Sequence, residues 1–463
     1  MIKRIGANIV LLFVLAAAFP VSAQQRQAHT HTLGSLWPKI EENYPGVGAK
    51  LSAIDAAKLH ERAVKGNRLP QVKAQAQHTY GTYEGSAGAF FPQAGFFNVS
   101  GSTVPLDGST VAANTFGSAT AEWELFSFGK LRKESEAAGA LYHKAVSEKD
   151  AYVLHLKKAV SERYITLLYN DAKLDWTAKN AKRLDDIRKI TSGLAASGLR
   201  PAADSLLASS SYVQAMGEHD KWQGFKIASL IQLLELYGGD TVDYAASIGR
   251  FSSPAAGYPT GENTISSAHP ILHALDQQSQ YYGLSGEAEK RSAWPSIRLL
   301  GGYAHRGTGI GPNGTVSGAW KDGFKNTANN MLAGIGITWN ISSLHISRLR
   351  GEALYKEAER TARLHAQYEQ EMQADLSASQ AKIHRQYEQL QKTRLAVRQS
   401  QAAYGMYLAR YKSGLIALSE LLQIRTLLEQ AENAHIEASR DYWMLLAYEA
   451  ELTADFDFLF NNL

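Results

Sequence analysis

The chain has 463 residues, 48 basic and 44 acidic side chains, and no cysteine. The missing thiol excludes disulfides, thiol catalysis, thiolate metal sites and a lipid-bearing cysteine at a mature N-terminus. A net charge of +4 without any long basic run speaks against a nucleic-acid partner.

Residues 1–23 read as a secretory signal. Lys3 and Arg4 precede the apolar run from Ile9 to Ala18, and Val21-Ser22-Ala23 offers small residues for cleavage before Gln24. No other stretch is long and apolar enough for a transmembrane helix. Residues 24–36 are expected to form a flexible tail, so His29 and His31 are not expected to hold a metal.

An internal repeat then organises the chain. Tyr44-Pro45 and His269-Pro270 each open a helical stretch that ends 25 residues on, at Pro70 or Pro295. Farther along, the halves align at an offset of 216, which pairs Trp123 with Trp339, Arg132 with Arg348 and Ser197-Gly198-Leu199 with Ser413-Gly414-Leu415. The same offset pairs Asp204 with Glu420, Leu206 with Leu422, Ala215 with Ala431 and His219 with His435. The offset falls from 225 to 216 between Pro295 and Trp339, so the first unit holds nine extra residues in a loop. The expected division is a first unit over 37–240, a linker or equatorial segment over 241–265, a second unit over 266–454 and a tail over 455–463.

Each unit carries two stretches of period two. Val72, Ala74, Ala76 and Tyr80 alternate with polar neighbours, and Ala119, Ala121, Trp123 and Leu125 do the same. In the second unit Ile297, Leu299 and Tyr303 share one face, as do Ala333, Ile335, Ile337, Trp339 and Ile341. Loops over 84–115 and 307–325 separate the paired strands, the first with Phe90, Phe91, Phe96 and Phe97. Strands with one apolar and one polar face suit an outer-membrane barrel, with Trp123, Leu125, Ile335, Ile337 and Trp339 toward lipid. A soluble antiparallel sheet over a helical core gives the same alternation.

The remainder is helical. Val153, Val160, Leu167 and Leu174 recur every seven residues, as do Ile424, Ala431, Ala438, Leu445 and Leu452, so the helices are expected to coil about one another. At 1.5 Å per residue, 133–192 spans roughly 90 Å, 199–236 roughly 57 Å, 270–292 roughly 35 Å and 349–412 roughly 96 Å. Two shorter helices stacked end to end therefore match one long helix. Four strands per chain cannot close a barrel, for which about eight is the minimum, so several chains must share one.

With the repeat, the strand-leading prolines and the glycine turn followed six residues later by an acid, the chain resembles the TolC-like outer-membrane efflux proteins from about Trp37 to Ala454. The resemblance implies an α+β membrane protein, a homotrimer with a twelve-stranded outer-membrane barrel over a periplasmic tunnel of coiled helices. It implies periplasmic adaptor proteins (membrane fusion proteins) docking at the tunnel tip, an inner-membrane pump beyond them, and passive conduction in efflux or type I secretion. By the same resemblance Gly198, Leu199, Gly414 and Leu415 are helix tips that receive the adaptor, and Asp204, Glu420, Gln423 and Arg200 stand at the periplasmic entrance. Gln423 falls where some members carry an acid, and Ile416 stands where the family's best-known tip arginine sits. Opening would be an untwisting of the tip helices on adaptor contact.

Other features lead elsewhere less well. Residues 309–314 spell GxGxxG, but contain Pro312 and precede Thr315-Val316-Ser317 rather than a helix, so they read as a loop. His219 and His435 read as surface or seam residues of amphipathic helices. No nucleophile, base and oxyanion set emerges, so neither an enzyme nor a cofactor is expected. The competing reading is a secreted coiled-coil structural protein or adhesin, which explains the heptads but not the alternating strands.

Overall fold

The computed structural model describes residues 32–82, 106–254 and 264–463. The signal segment, His29, His31, Phe90, Phe91, Phe96 and Phe97 lie outside the described residues. In chain order the elements are α1 (Leu33–Asn43), α2 (Pro45–Gly66), β1 (Gln71–Thr82), β2 (Asp107–Gly108), β3 (Val111–Phe126), α3 (Lys130–Ala196), α4 (Ala202–Tyr237), α5 (Ala245–Ser252), α6 (Pro270–Ser292), β4 (Ser296–Thr308), β5 (Thr315–Val316), β6 (Ala328–Thr338), α7 (Ser343–Lys412), α8 (Leu418–Thr453) and α9 (Asp457–Asn462). None of the described helices is long and apolar enough to cross a membrane.

The duplication is visible in element bounds and in pairing. Moving α4 by 216 gives the bounds of α8, and the ends of α3 and α7 coincide under the same offset. Pro45 and Pro270 both occupy the first turn of their helices, where proline loses no intrahelical hydrogen bond. The sheet has the order β1-β3-β4-β6 and is antiparallel throughout. β1 meets β3 with Gln71 opposite Glu122, and β4 meets β6 with Ser296 opposite Thr338. These are one register, displaced by the two offsets read from the sequence.

The helices repeat their packing as far as one chain allows. α3 lies against α2, α4, α6 and α8, and α6 is flanked by both α3 and α7. α2, the counterpart of α6, packs on α3 but is otherwise open: only Val47 among its 22 residues is buried. Likewise β1 and β6 are the edges of the sheet, and neither has a second neighbour among the described residues.

The main core gathers where α3 and α8 meet the short equatorial elements. Val160, Tyr164, Ile165, Leu167, Tyr442 and Trp443 are buried there. The Trp443 indole donates to the carbonyl of Phe251, and Tyr164 donates to Ser247 at 2.7 Å. Burial pushes the Tyr164 phenol up to about 12.

Three sequence expectations need correction. Residues 33–36, assigned to the flexible tail, open α1, and Leu33, Leu36 and Ile40 are fully buried. The C-terminal tail is likewise built into the core, through Leu459 and Leu463, beside Phe251 of α5 from the linker or equatorial segment. In α8 the expected heptad positions Ala438 and Leu452 are buried, whereas Ile424, Ala431 and Leu445 are half-buried and Leu421, Leu428 and Tyr442 lie deeper. The physical reason is that α8 touches α7 on one side and α3 on another, so its buried surface is wider than one heptad seam. In the first unit Val153, Val160 and Leu167 are buried as expected and Leu174 is half-buried.

The core position of Leu167, fully buried, sets a test of this packing. Leu167→Ala is expected to lower stability by about 2–5 kcal/mol, read by denaturant unfolding in detergent.

Candidate functional site: a two-faced sheet and a helical mouth

Alternation along four registered strands sorts the side chains onto two faces. Lys73, Gln75, Gln77 and Thr79 share a face with Ser118, Thr120 and Glu122, with Arg298 and Arg306, and with Asn330. This face lines a cavity of about 780 Å³. The opposite face carries Val72, Ala74, Ala76, Trp123, Leu125, Leu299, Ile335 and Ile337. Trp123, Leu125, Ile335, Ile337 and Trp339 are all exposed in the single chain, Ile337 to 73%. On the polar face Arg298 binds Glu122 at 2.5 Å and approaches Glu124 at 3.8 Å.

Aromatic side chains bound the apolar face at both ends. At the helix end the Trp123 indole donates to the carbonyl of Arg68 at 2.8 Å, and Trp339 donates to that of Ala293 at 3.0 Å. Under the two offsets these are the same hydrogen bond. Each indole thus anchors its strand to the turn that precedes the first strand of its unit. At the loop end Tyr80 donates to the carbonyl of Gly318 at 2.7 Å. Trp320 and Phe324, in a short 3-10 turn, pack on the His78 ring at 4.3 and 4.7 Å between centroids. Tyr80 pairs with Ala113, ten residues along the strand from Trp123. At 3.3 Å per residue, the apolar face between these aromatic ends extends about 33 Å along the strand.

The GxGxxG stretch belongs to this loop end. Gly309 donates to the carbonyl of Ala113 at 2.8 Å, Gly311 to that of Thr315 at 2.8 Å, and no helix follows. It is a loop turn rather than a phosphate cradle.

At the far end of the helices the two tips are built alike. Gly198 and Gly414 have φ of +72° and +74°, a conformation costly for a residue with a Cβ. Leu199 donates to the carbonyl of Leu194 and Gly198 to that of Ala195; Leu415 and Gly414 do the same with Arg410 and Tyr411. Each tip is therefore a Schellman turn, which satisfies carbonyls that the ending helix leaves free. Leu199 and Leu415 are each 70% exposed. Asp204 and Glu420 lie in the first turns of α4 and α8, where the helix dipole favours an acid. Gln423 is exposed one turn farther on. Arg200 bridges the tips: it donates to the carbonyl of Ile416 at 2.6 Å and lies over the Tyr411 ring.

Between the tips and the core runs a polar seam that sequence reasoning missed. Asn180 of α3 donates to Glu429 of α8 at 3.0 Å, Arg183 binds Glu432 through both guanidinium nitrogens, and Arg425 donates to Asn180 at 2.8 Å. Lys173 binds Asn433 and Glu437, with Tyr169, Trp176 and Trp222 around its ammonium. Burial pushes the Lys173 ammonium below its ordinary range. The signal was present, since Lys173 and Asn180 sit one heptad apart on the apolar side of α3, where polar residues need partners. His219 and His435 lie instead on the seams within each unit, α3–α4 and α7–α8, in matching contact with Thr177 at 3.2 Å and Thr393 at 3.1 Å. No group of three or more candidate ligands is placed to hold a metal among the described residues.

Comparison with known proteins agrees with this geometry. The family described as outer membrane efflux protein matches residues 36–239 and 286–444. Among solved structures, VceC of Vibrio cholerae, an outer membrane protein, is similar at 16% identity and a TM-score of 0.72, over 91% of this chain and 96% of that one. The outer-membrane channel OprN is similar at 17% identity and a TM-score of 0.71, over 91% of this chain and 89% of that one. CusC, described in connection with transmembrane channel formation, is similar at 14% identity and a TM-score of 0.72, over 92% of each chain. At these identities the likeness is one of fold. No curated protein matches the chain.

The tip geometry separates two glycines that look alike in sequence. A Cβ at Gly414 or at Gly405, inside α7, would meet no atom within 4 Å, but only Gly414 has a positive φ. Gly405→Ala is expected to stabilise by about 0.4–1 kcal/mol and Gly414→Ala to destabilise by about 1–2 kcal/mol, compared by chemical denaturation.

Proposed function

The chain belongs to the outer membrane efflux protein family, and from that premise we propose that three copies form the outer-membrane duct of an efflux or type I secretion assembly. The observation that carries the reading is a four-stranded sheet with two free edges, one apolar face between aromatic rows, and one polar face. A lone sheet of this kind in hydrocarbon leaves the hydrogen-bonding groups of both edges unpaired, at several kcal/mol each. Three copies joined β6 to β1 close twelve strands and remove every edge. The apolar face then meets lipid and the polar face lines water.

The helices continue the lumen into the periplasm. At 1.5 Å per residue the 70 residues of α7 extend about 105 Å. Conduction is passive: the duct supplies a sealed path, and an inner-membrane pump supplies the energy. The Gly198-Leu199 and Gly414-Leu415 turns are the docking points for periplasmic adaptor hairpins, supported by their open surroundings and exposed leucines. Asp204 and Glu420 stand near the mouth, where rings of acids favour cations over anions. Arg200 is a tie within the chain at that mouth, since its partners are the carbonyls of the second tip.

Purified protein in planar bilayers is expected to give stepwise ion currents. A protein that stays monomeric in detergent and passes no current contradicts the duct. Replacing Gly198 and Gly414 by bulky residues is expected to weaken adaptor-dependent export while trimers still form. Export unchanged by both substitutions would remove the docking assignment.

A further inference from the structure

The repeat allows the surface between copies to be read from a seam inside one chain. Within the chain, the first unit meets the second along β3·β4, α3·α6 and α3·α8. If the next copy follows as the second unit follows the first, the equivalent contacts are β6 with β1, α7 with α2, and α7 with α4 of the neighbour. These are the elements left with an unpaired edge or an open flank. On α4 the exposed flank is apolar: Leu206 is 74% exposed, Val213 66% and Met216 37%.

The backbone register carries over, but the ion pairs do not. Asn180 and Glu429 become Ala396 and Val213, and Arg183 and Glu432 become Gln399 and Met216. Lys173 and Glu437 become Gln389 and Lys221. Lys133 and Glu287, 3.1 Å apart across α3 and α6, become Leu349 and Arg62. In the sheet Arg298 and Glu124 become Lys73 and Asn340. At the tips Arg200, which binds the Ile416 carbonyl, is replaced by Ile416 itself. Ion pairs and charged hydrogen bonds recur along the within-chain seam, beside apolar clusters of the same helices, and not one of them has a charged counterpart pair at the boundary between copies.

We propose that the apolar flank Leu206–Val213–Met216 of α4 is covered by α7 of a second copy of this chain, around Ala396 and Gln399, in the register in which α8 covers α3. There the copies adhere through Val213 and Met216, at the two positions where the second unit of one chain carries Glu429 and Glu432. This rests on the oligomeric duct proposed above and adds to it the residues and the chemistry of the boundary.

The natural chain has no cysteine, so introduced thiols react without background. With a short thiol-to-thiol crosslinker, V213C/A396C and M216C/Q399C should each convert most of the protein into covalent trimers on denaturing gels. V213C/K382C, displaced by two heptads or about 21 Å along α7, should not. N180C/E429C should crosslink within single chains only. Because apolar contact is not screened by ions, the uncrosslinked trimer should persist on native gels after about 1 M NaCl, where the Debye length is near 3 Å. Native trimers without covalent ladders from either in-register pair would overturn the assignment while leaving the duct intact. Dissociation by salt would overturn the apolar boundary. Protein with no oligomer at all would end the duct reading as well.

Discussion

A backbone amide or carbonyl that reaches hydrocarbon must find a partner in protein, because nothing else there supplies one. Most of what is unusual about this chain follows from that constraint. Its sheet has four strands, long and regular, with edges on both sides and an apolar surface that a soluble domain would hide. In water such edges invite aggregation. Closure into a ring is the arrangement that leaves no edge, and the internal repeat supplies a unit that already pairs in the required direction. The β3·β4 ladder inside one chain is a worked instance of the ladder the proposed assembly needs between chains.

The same constraint explains why two ends of the apolar face are aromatic. An indole has an apolar body and one donor, so it suits a boundary where one side is hydrocarbon and the other wet. Trp123 and Trp339 satisfy that donor with the carbonyls of Arg68 and Ala293. This also ties the sheet to the helix end beneath it. The joint between sheet and helices is therefore held by a bond made twice per chain, at positions that the repeat makes equivalent.

How much of this was legible in the sequence depended on how local the signal was. Prolines at helix starts, the glycine turns and period-two strands each act over a few residues and fell close to where the structure has them. Even so, β3 begins at Val111, inside the expected loop, and Trp339 and Ile341 lie beyond the end of β6. The tips in particular were readable because a positive φ demands glycine at Gly198 and Gly414. The two terminal segments were misjudged because they are short and no heptad marks them. Leu33, Leu36 and Ile40 nevertheless recur at helical spacing, and their burial against the core was available to a closer reading. The α3·α8 seam was the least accessible. Asn180 and Glu429 stand 249 residues apart, and no local rule brings such residues together.

That seam bears on the cost of parting the helices. In the proposed ring, six boundaries share one backbone geometry, and the three inside the copies carry buried ion pairs. Parting any of them exposes apolar surface to water at about 25 cal/mol per Å². The within-chain boundary is no exception, since Ile187 and Leu184 of α3 lie in apolar clusters with Leu421 and Leu422 of α8. Its ion pairs differ in that released charges recover hydration that burial had denied them. Burial holds the Lys173 ammonium below its ordinary range, and that hydration is what separation would return. Arg183 and Lys173 therefore offset part of the cost of separating a chain's two units, a relief that a boundary without ion pairs does not have.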